Sequence, residues 1–85
     1  MIHLSPVARI ILRVMSSDIT GIWSRGAISR ILKKHEVTKR GESHILNSLV
    51  KKELLCRVRE DGQTRDTEFT LYALTEKGKT EAWNS

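Results

Sequence analysis

Thr38-Lys39-Arg40-Gly41-Glu42-Ser43-His44-Ile45-Leu46-Asn47-Ser48-Leu49-Val50-Lys51-Lys52-Glu53-Leu54-Leu55 runs directly into Cys56-Arg57-Val58-Arg59, and the pattern of the chain changes period between them. Ile45, Leu46, Leu49 and Val50 recur at helical spacing and form one apolar stripe. Arg40, His44, Asn47 and Lys51 fall on the opposite side, flanked by Ser43 and Ser48. Thr38 can accept from the unpaired amides of a first turn, so a helix over about 38–53 is expected behind it. From Cys56 to Arg59 apolar and basic residues alternate, as in a strand with one buried face.

Upstream, residues 35–38 make a short break. Before it Ser24 can cap a helix that carries Ala27, Ile28, Ile31 and Leu32 on one face and Arg25, Ser29, Arg30, Lys33 and Lys34 around the rest. Two helices joined by a turn of about four residues make a helix-turn-helix. Ser5-Pro6 opens an earlier helix, with Ser at the cap, Pro in the first turn, and Val7, Ile10, Ile11 and Val14 at helical spacing to an end near 16–18. Thr20 to Trp23 reads as a short extended stretch or turn. Downstream, Asp61-Gly62 signals a turn, and Glu68 to Leu74 is rich in residues that favour strands. The pair forms a hairpin over 56–74 with a polar, basic tip. Thr75 can cap a short last helix containing Ala82 and Trp83. The expected order is α-α-α-β-β-α, an α+β fold in a single domain over 1–85, with no internal repeat or linker.

The chain has 85 residues and a net charge of +5; aromatics are only 5%, so the core must be mainly Ile, Leu and Val. Charge is unevenly placed. Residues 25–59 hold ten bases (Arg25, Arg30, Lys33, Lys34, Lys39, Arg40, Lys51, Lys52, Arg57, Arg59) against three acids (Glu36, Glu42, Glu53), a net of +7. Such a concentration points to a polyanion, either nucleic acid or an anionic membrane surface. Cys56 is the only cysteine, so no intramolecular disulfide forms, which fits a reducing cytoplasm. Arg9 and Arg13 interrupt the N-terminal apolar residues, so neither a signal peptide nor a membrane span is expected. His3, His35 and His44 have no metal-ligand spacing with one another or with Cys56. No nucleophile motif and no Gly-rich phosphate loop is present, so neither an enzyme nor a cofactor is expected. Cys56 is expected to be a packed structural thiol rather than a redox sensor.

Two passages resemble the winged helix-turn-helix regulators of the bacterial MarR/PadR type. Leu46 to Leu55 resembles the end of their recognition helix and the turn into the wing. Tyr72-Ala73-Leu74-Thr75-Glu76-Lys77-Gly78 resembles the Tyr-x-Leu-Thr-x-x-Gly that leaves the wing and starts the next helix. The likeness spans about residues 5–80. It departs at Glu53, where the family has a glycine, and at Glu42, which falls on the apolar side of the third helix. Glu42 implies either a later helix start or a partner such as Lys39 or a residue of helix two. The chain stops soon after the wing, so the family's long C-terminal dimerisation helix is expected to be missing or shortened.

The resemblance implies a sequence-specific, DNA-binding transcriptional regulator with helix three in the major groove and the 56–74 hairpin as the wing. Arg40 would pair with guanine and Asn47 with adenine, while Ser43 and His44 would meet bases or phosphates. Lys39 and Lys51 would add charge, and Ser24, Arg25 and the first-turn amides of helix two would meet phosphate. Arg57, Arg59 and Arg65, with Gln63 and Thr64, would reach the minor groove or the backbone. The expected partners are double-stranded DNA and a second copy, with helix one and Trp83 at the interface. The expected setting is cytoplasmic, in a bacterium or encoded by a phage or plasmid. Trp23 would pack between the helices and the wing. Winged helices also serve as protein-interaction adaptors or inhibitors without sequence-specific DNA binding, and some bind structured RNA.

Overall fold

The computed structural model describes residues 4–58 and 67–83. Their order is α1 (Pro6–Ser17), β1 (Ile22–Ser24), α2 (Arg25–Lys34), α3 (Lys39–Lys51), β2 (Leu55–Val58), β3 (Leu71–Leu74) and α4 (Glu76–Trp83). All four caps read from the sequence are in place. Each side-chain oxygen accepts from the amide three residues on: Ser5 from Ala8 at 3.2 Å, Ser24 from Ala27 at 3.2 Å, Thr38 from Gly41 at 3.1 Å and Thr75 from Gly78 at 2.9 Å.

The ends of α2 and α3 are built alike. Glu36 and Glu53 take left-handed φ of 61° and 64°. The amide after each then reaches back five residues, Val37 to the Leu32 carbonyl at 3.1 Å and Leu54 to the Leu49 carbonyl at 3.0 Å. The glutamate amides bond Lys33 and Val50, each at 3.0 Å. Glu53 thus adopts the geometry for which the resembling family uses glycine, and it carries the steric cost of a side chain there.

The sheet has three antiparallel strands in the order β1-β3-β2, where the sequence suggested a two-stranded hairpin. Ile22, Trp23 and Ser24 pair with Ala73, Tyr72 and Leu71; Leu55 to Val58 pair with Leu74 to Leu71. Three residues are too few to show alternation, and the partner of β1 lies far along the chain, so no local pattern marks it. β3 starts at Leu71, not Glu68. Thr67–Thr70 is a turn instead, closed by the Thr70 amide on the Thr67 carbonyl (3.1 Å) and the Thr67 amide on Thr70 Oγ1 (2.8 Å). One sheet face carries Leu55, Tyr72 and Leu74, all buried, with Trp23 and Arg57 half-buried. The other carries Ile22, Cys56, Val58 and Leu71, all exposed, so Cys56 is not the packed thiol expected.

The buried residues form one cluster: Ala8, Ile11, Leu12 and Met15 of α1, Ile28 and Leu32 of α2, Leu46 and Leu49 of α3, then Leu54, Leu55, Tyr72, Leu74 and Ala82, with Trp23 packed at its margin. Trp23 Nε1 also donates to Asp18 at 2.8 Å. Arg9 and Arg13 of α1 donate to the last-turn carbonyls of α4, Glu81 at 2.9 Å and Ala82 at 2.8 Å, satisfying acceptors a helix end leaves open. Trp83 is 62% exposed, with Nε1 on Ser16 and its ring under the Arg13 guanidinium, so it stands outside the core.

Glu42 is 6% exposed, inside the α2–α3 contact, and Ser29 Oγ of helix two donates to its Oε1 at 2.8 Å. A helix-two partner therefore accounts for this acid, and α3 starts where Thr38 places it. The carboxylate also sits in the first turn, where the helix dipole favours negative charge.

Three stability outcomes follow from these contacts. A Cβ at Gly78 would lie 2.2 Å from the Leu54 carbonyl oxygen and 2.7 Å from Leu74 Cδ1, so Gly78→Ala should destabilise by about 2 kcal/mol or more in urea unfolding. Glu53→Gly should stabilise by roughly 0.5–1 kcal/mol, read as a rise of several degrees in Tm. Ser29→Ala should cost about 1.5–3 kcal/mol by leaving a buried carboxylate short of its donor, and adding Glu42→Met should recover most of that loss.

Candidate nucleic-acid interface

Helix α3 is held by its buried side. Leu46 and Leu49 enter the core and Glu42 is tied to α2, so the opposite side is fixed in orientation. That side presents Lys39, Arg40, His44, Asn47 and Lys51, all exposed, with Ser43 half-buried beside them. The structure thus brings six of the expected site residues onto one face of one rigid element.

Two more arrive from neighbouring elements and bond to that face. Arg25, the first residue of α2, donates through Nη2 to Ser43 Oγ at 2.7 Å. Arg57, in β2, donates through Nη2 to Asn47 Oδ1. Arg57 is itself positioned: its Nε donates to Tyr72 Oη at 3.2 Å and its guanidinium lies 5.6 Å from the centre of the Tyr72 ring. Tyr72 is fully buried, so this anchor is rigid. The sequence offered these four residues as independent contacts. Their pairing is a tertiary fact, although one signal was available: Arg57 has the same strand parity as buried Leu55, so it had to lie along the core face of the sheet.

Between the starts of α2 and α3 and residues 67–69 lies a groove of about 890 Å³. Arg25, Arg30, Lys33 and Lys39 line it, with Glu42 and Glu68 the acids among its walls. Phe69, 77% exposed, stands at its edge and was not singled out from the sequence.

One expectation is corrected here. The first-turn amides of α2 are not available to phosphate, because each is bonded inside the protein. Arg25 donates to the Thr70 carbonyl at 2.8 Å, Gly26 to the Glu68 carbonyl at 2.9 Å, and Ala27 to Ser24 Oγ. The 67–70 turn has taken the place an anion would need, and Ser24 Oγ serves as the cap. Arg59 and Arg65, with Gln63, Thr64 and the Asp61-Gly62 turn, lie outside the described residues. Among the described residues no group of three or more His, Cys, Asp or Glu side chains gathers as a metal site. No helix there is long and apolar enough to cross a membrane.

No family model matches the sequence, and no curated protein matches it. Solved structures do. A zinc-responsive MarR family member, ZitR of Lactococcus lactis, superposes with a TM-score of 0.67 at 22% identity, over 95% of this chain and 50% of that one. The same protein in complex with DNA gives 0.67 at 22% identity, over 95% and 49%. The adhesin competence repressor AdcR of Streptococcus pyogenes gives 0.65 at 22% identity, over 93% and 52%. The chain therefore spans about half the length of these structures. Helix-turn-helix, paired wing strands, the third strand before α2 and the Thr75–Gly78 start of α4 together define its architecture: the protein has the winged-helix fold seen in MarR-family regulators.

Proposed function

We propose that the protein is a sequence-specific, double-stranded-DNA-binding transcriptional regulator, with α3 in the major groove and the 56–74 hairpin as a wing. The observation that carries this reading is the exposed stripe of Lys39, Arg40, His44, Asn47 and Lys51 on a helix whose opposite side is packed into the core. A helix fits the major groove, and cations on its exposed side neutralise phosphates with release of counterions. Arg40 has the reach and donor fork for a guanine edge. Lys39 and Lys51, at the two ends of α3, suit the flanking phosphates. The winged-helix protein ZitR, solved with DNA, supports the same use of this frame.

A homodimer on a pseudo-palindromic site is part of the proposal, since one such domain offers few contacts. Helix α1 and the exposed Trp83 ring are its proposed interface.

Titration of random duplex DNA against salt tests the reading. Neutralising about four phosphates should lower affinity roughly 100-fold between about 50 and 200 mM salt. On a selected site, Arg40→Ala should cost about 1–3 kcal/mol and relax the preference at one base pair. Negligible binding at the low-salt end would overturn the reading. An unchanged site preference in Arg40→Ala and Asn47→Ala would remove α3 as the reader.

A further inference from the structure

We infer that the groove between the starts of α2 and α3 and the 67–70 turn holds the sugar-phosphate backbone of one DNA strand. Its phosphates lie on Arg30, Lys33 and Lys39, and a deoxyribose lies against the Phe69 ring. Side chains, and not the amides of a helix start, grip the backbone at this place. This inference rests on the DNA-binding reading and deepens it.

The groove adjoins the face assigned to reading bases. Lys39 and Ser43 belong to both: Lys39 is exposed on α3 and lines the groove, and Ser43 is tied to Arg25 of its other wall. An α-helix with its side chains is about 10–12 Å across, and the major groove of B-DNA is about 12 Å wide. Whatever flanks the helix on the protein therefore meets a backbone rather than base edges. On the α2 side of α3 that flank is this groove, with a volume of about 890 Å³. Its charge suits such a neighbour. Arg25, Arg30, Lys33 and Lys39 outnumber Glu42 and Glu68, and Glu42 is only 6% exposed, with the Ser29 hydroxyl on its Oε1. Arg30 and Lys33 are both exposed and share one side of α2, so they form a row along one wall.

The usual anion seat at a helix start is closed here, because the Arg25, Gly26 and Ala27 amides are bonded to Thr70, Glu68 and Ser24. The same closure places Phe69. Gly26 lets the turn come so near that a Cβ there would lie 3.3 Å from the Glu68 carbonyl oxygen. With Thr70 buried and the Glu68 carbonyl held by Gly26, the turn presents Phe69 at the rim of the groove, 77% exposed. Cations and an exposed ring on one rim match a ligand whose charged and apolar surfaces alternate. A nucleic-acid backbone has that alternation, since each phosphate is followed by a sugar with an apolar carbon face. The cations supply attraction that salt weakens, and the ring supplies apolar contact that salt leaves in place. Glu68 is exposed on the same wall and opposes the strand.

Salt titrations on one duplex selected from a randomised pool test the two parts separately. Changing Arg30→Gln and Lys33→Gln together removes two phosphate contacts. The roughly 100-fold loss of affinity between about 50 and 200 mM salt should then shrink to about ten-fold. Phe69→Ala should lower affinity about ten-fold at every salt concentration, and Phe69→Leu should restore most of that loss. Because the ring is exposed, neither change should move the urea midpoint. Glu68→Gln should raise affinity about three-fold. Methylphosphonate linkages walked along each strand should mark adjacent phosphates whose neutralisation costs the wild type about three-fold each. In the Arg30→Gln, Lys33→Gln double variant two of those positions should cost nothing. An unchanged salt dependence in the double variant would overturn the inference, as would wild-type affinity in Phe69→Ala. So would a loss of affinity in Phe69→Ala matched by a fall in its urea midpoint, which would make the ring structural. In each of these cases a relaxed site preference in Arg40→Ala would leave the regulator reading standing. Absence of duplex binding at low salt would overturn that reading and this inference together.

Discussion

The backbone of Leu54 is the joint on which α3, β2 and α4 all depend. Its amide closes α3 by bonding the Leu49 carbonyl, and its carbonyl accepts from the Thr75 amide at 3.2 Å and from Thr75 Oγ1 at 3.0 Å. Gly78 lies against the same carbonyl so closely that no side chain fits between them. One buried residue thus ends a helix, opens a strand and seats another helix. The chain can make this turn only because Glu53 accepts a left-handed conformation. The Leu-Thr-x-x-Gly pattern is explained by the same joint: Leu74 fills the core, Thr75 caps α4 and bonds across to Glu53 and Leu54, and the glycine lets α4 approach.

From that joint α3 is held along its length by unlike forces. Its apolar side is fixed by packing, which sets its axis but tolerates small rotations. Polar ties then fix the rotation: Ser29 to Glu42 from α2, Arg25 to Ser43 from the start of α2, Arg57 to Asn47 from β2. Directional bonds from three sides give the exposed face a defined presentation, which direct readout of base edges requires.

Much of this was legible in the sequence because helices announce themselves locally. Ser5, Ser24, Thr38 and Thr75 are each followed by apolar residues at helical spacing, and all four act as caps. The concentration of bases between Arg25 and Arg59 falls on α2, α3 and β2, the elements that meet at the candidate face. What escaped notice depends on partners distant in the chain. β1 exists only through β3, and the amides at the start of α2 are taken by carbonyls of residues 68 and 70. Cys56 looked packable by residue type, yet its parity, opposite to Leu55, puts it on the solvent side. Arg57 looked like one more surface base; its stacking on Tyr72 could not be read without the register that sets the two opposite each other.

The outward face of the sheet has a colloidal consequence. Val58 and Leu71 lie side by side there and Ile22 stands opposite Ala73 on the same face, the three 39–46% exposed, on strands of three and four residues. Edges that short offer a neighbour little backbone to pair with, which limits sheet extension between molecules. Mutual repulsion of molecules carrying +5 each opposes contact between such surfaces. That repulsion fades beyond about 10 Å at 0.1 M salt. On the proposed DNA-binding reading ionic strength acts on this molecule twice, loosening its hold on a polyanion and weakening the repulsion between its own copies, so the conditions that release it from nucleic acid also favour its self-association.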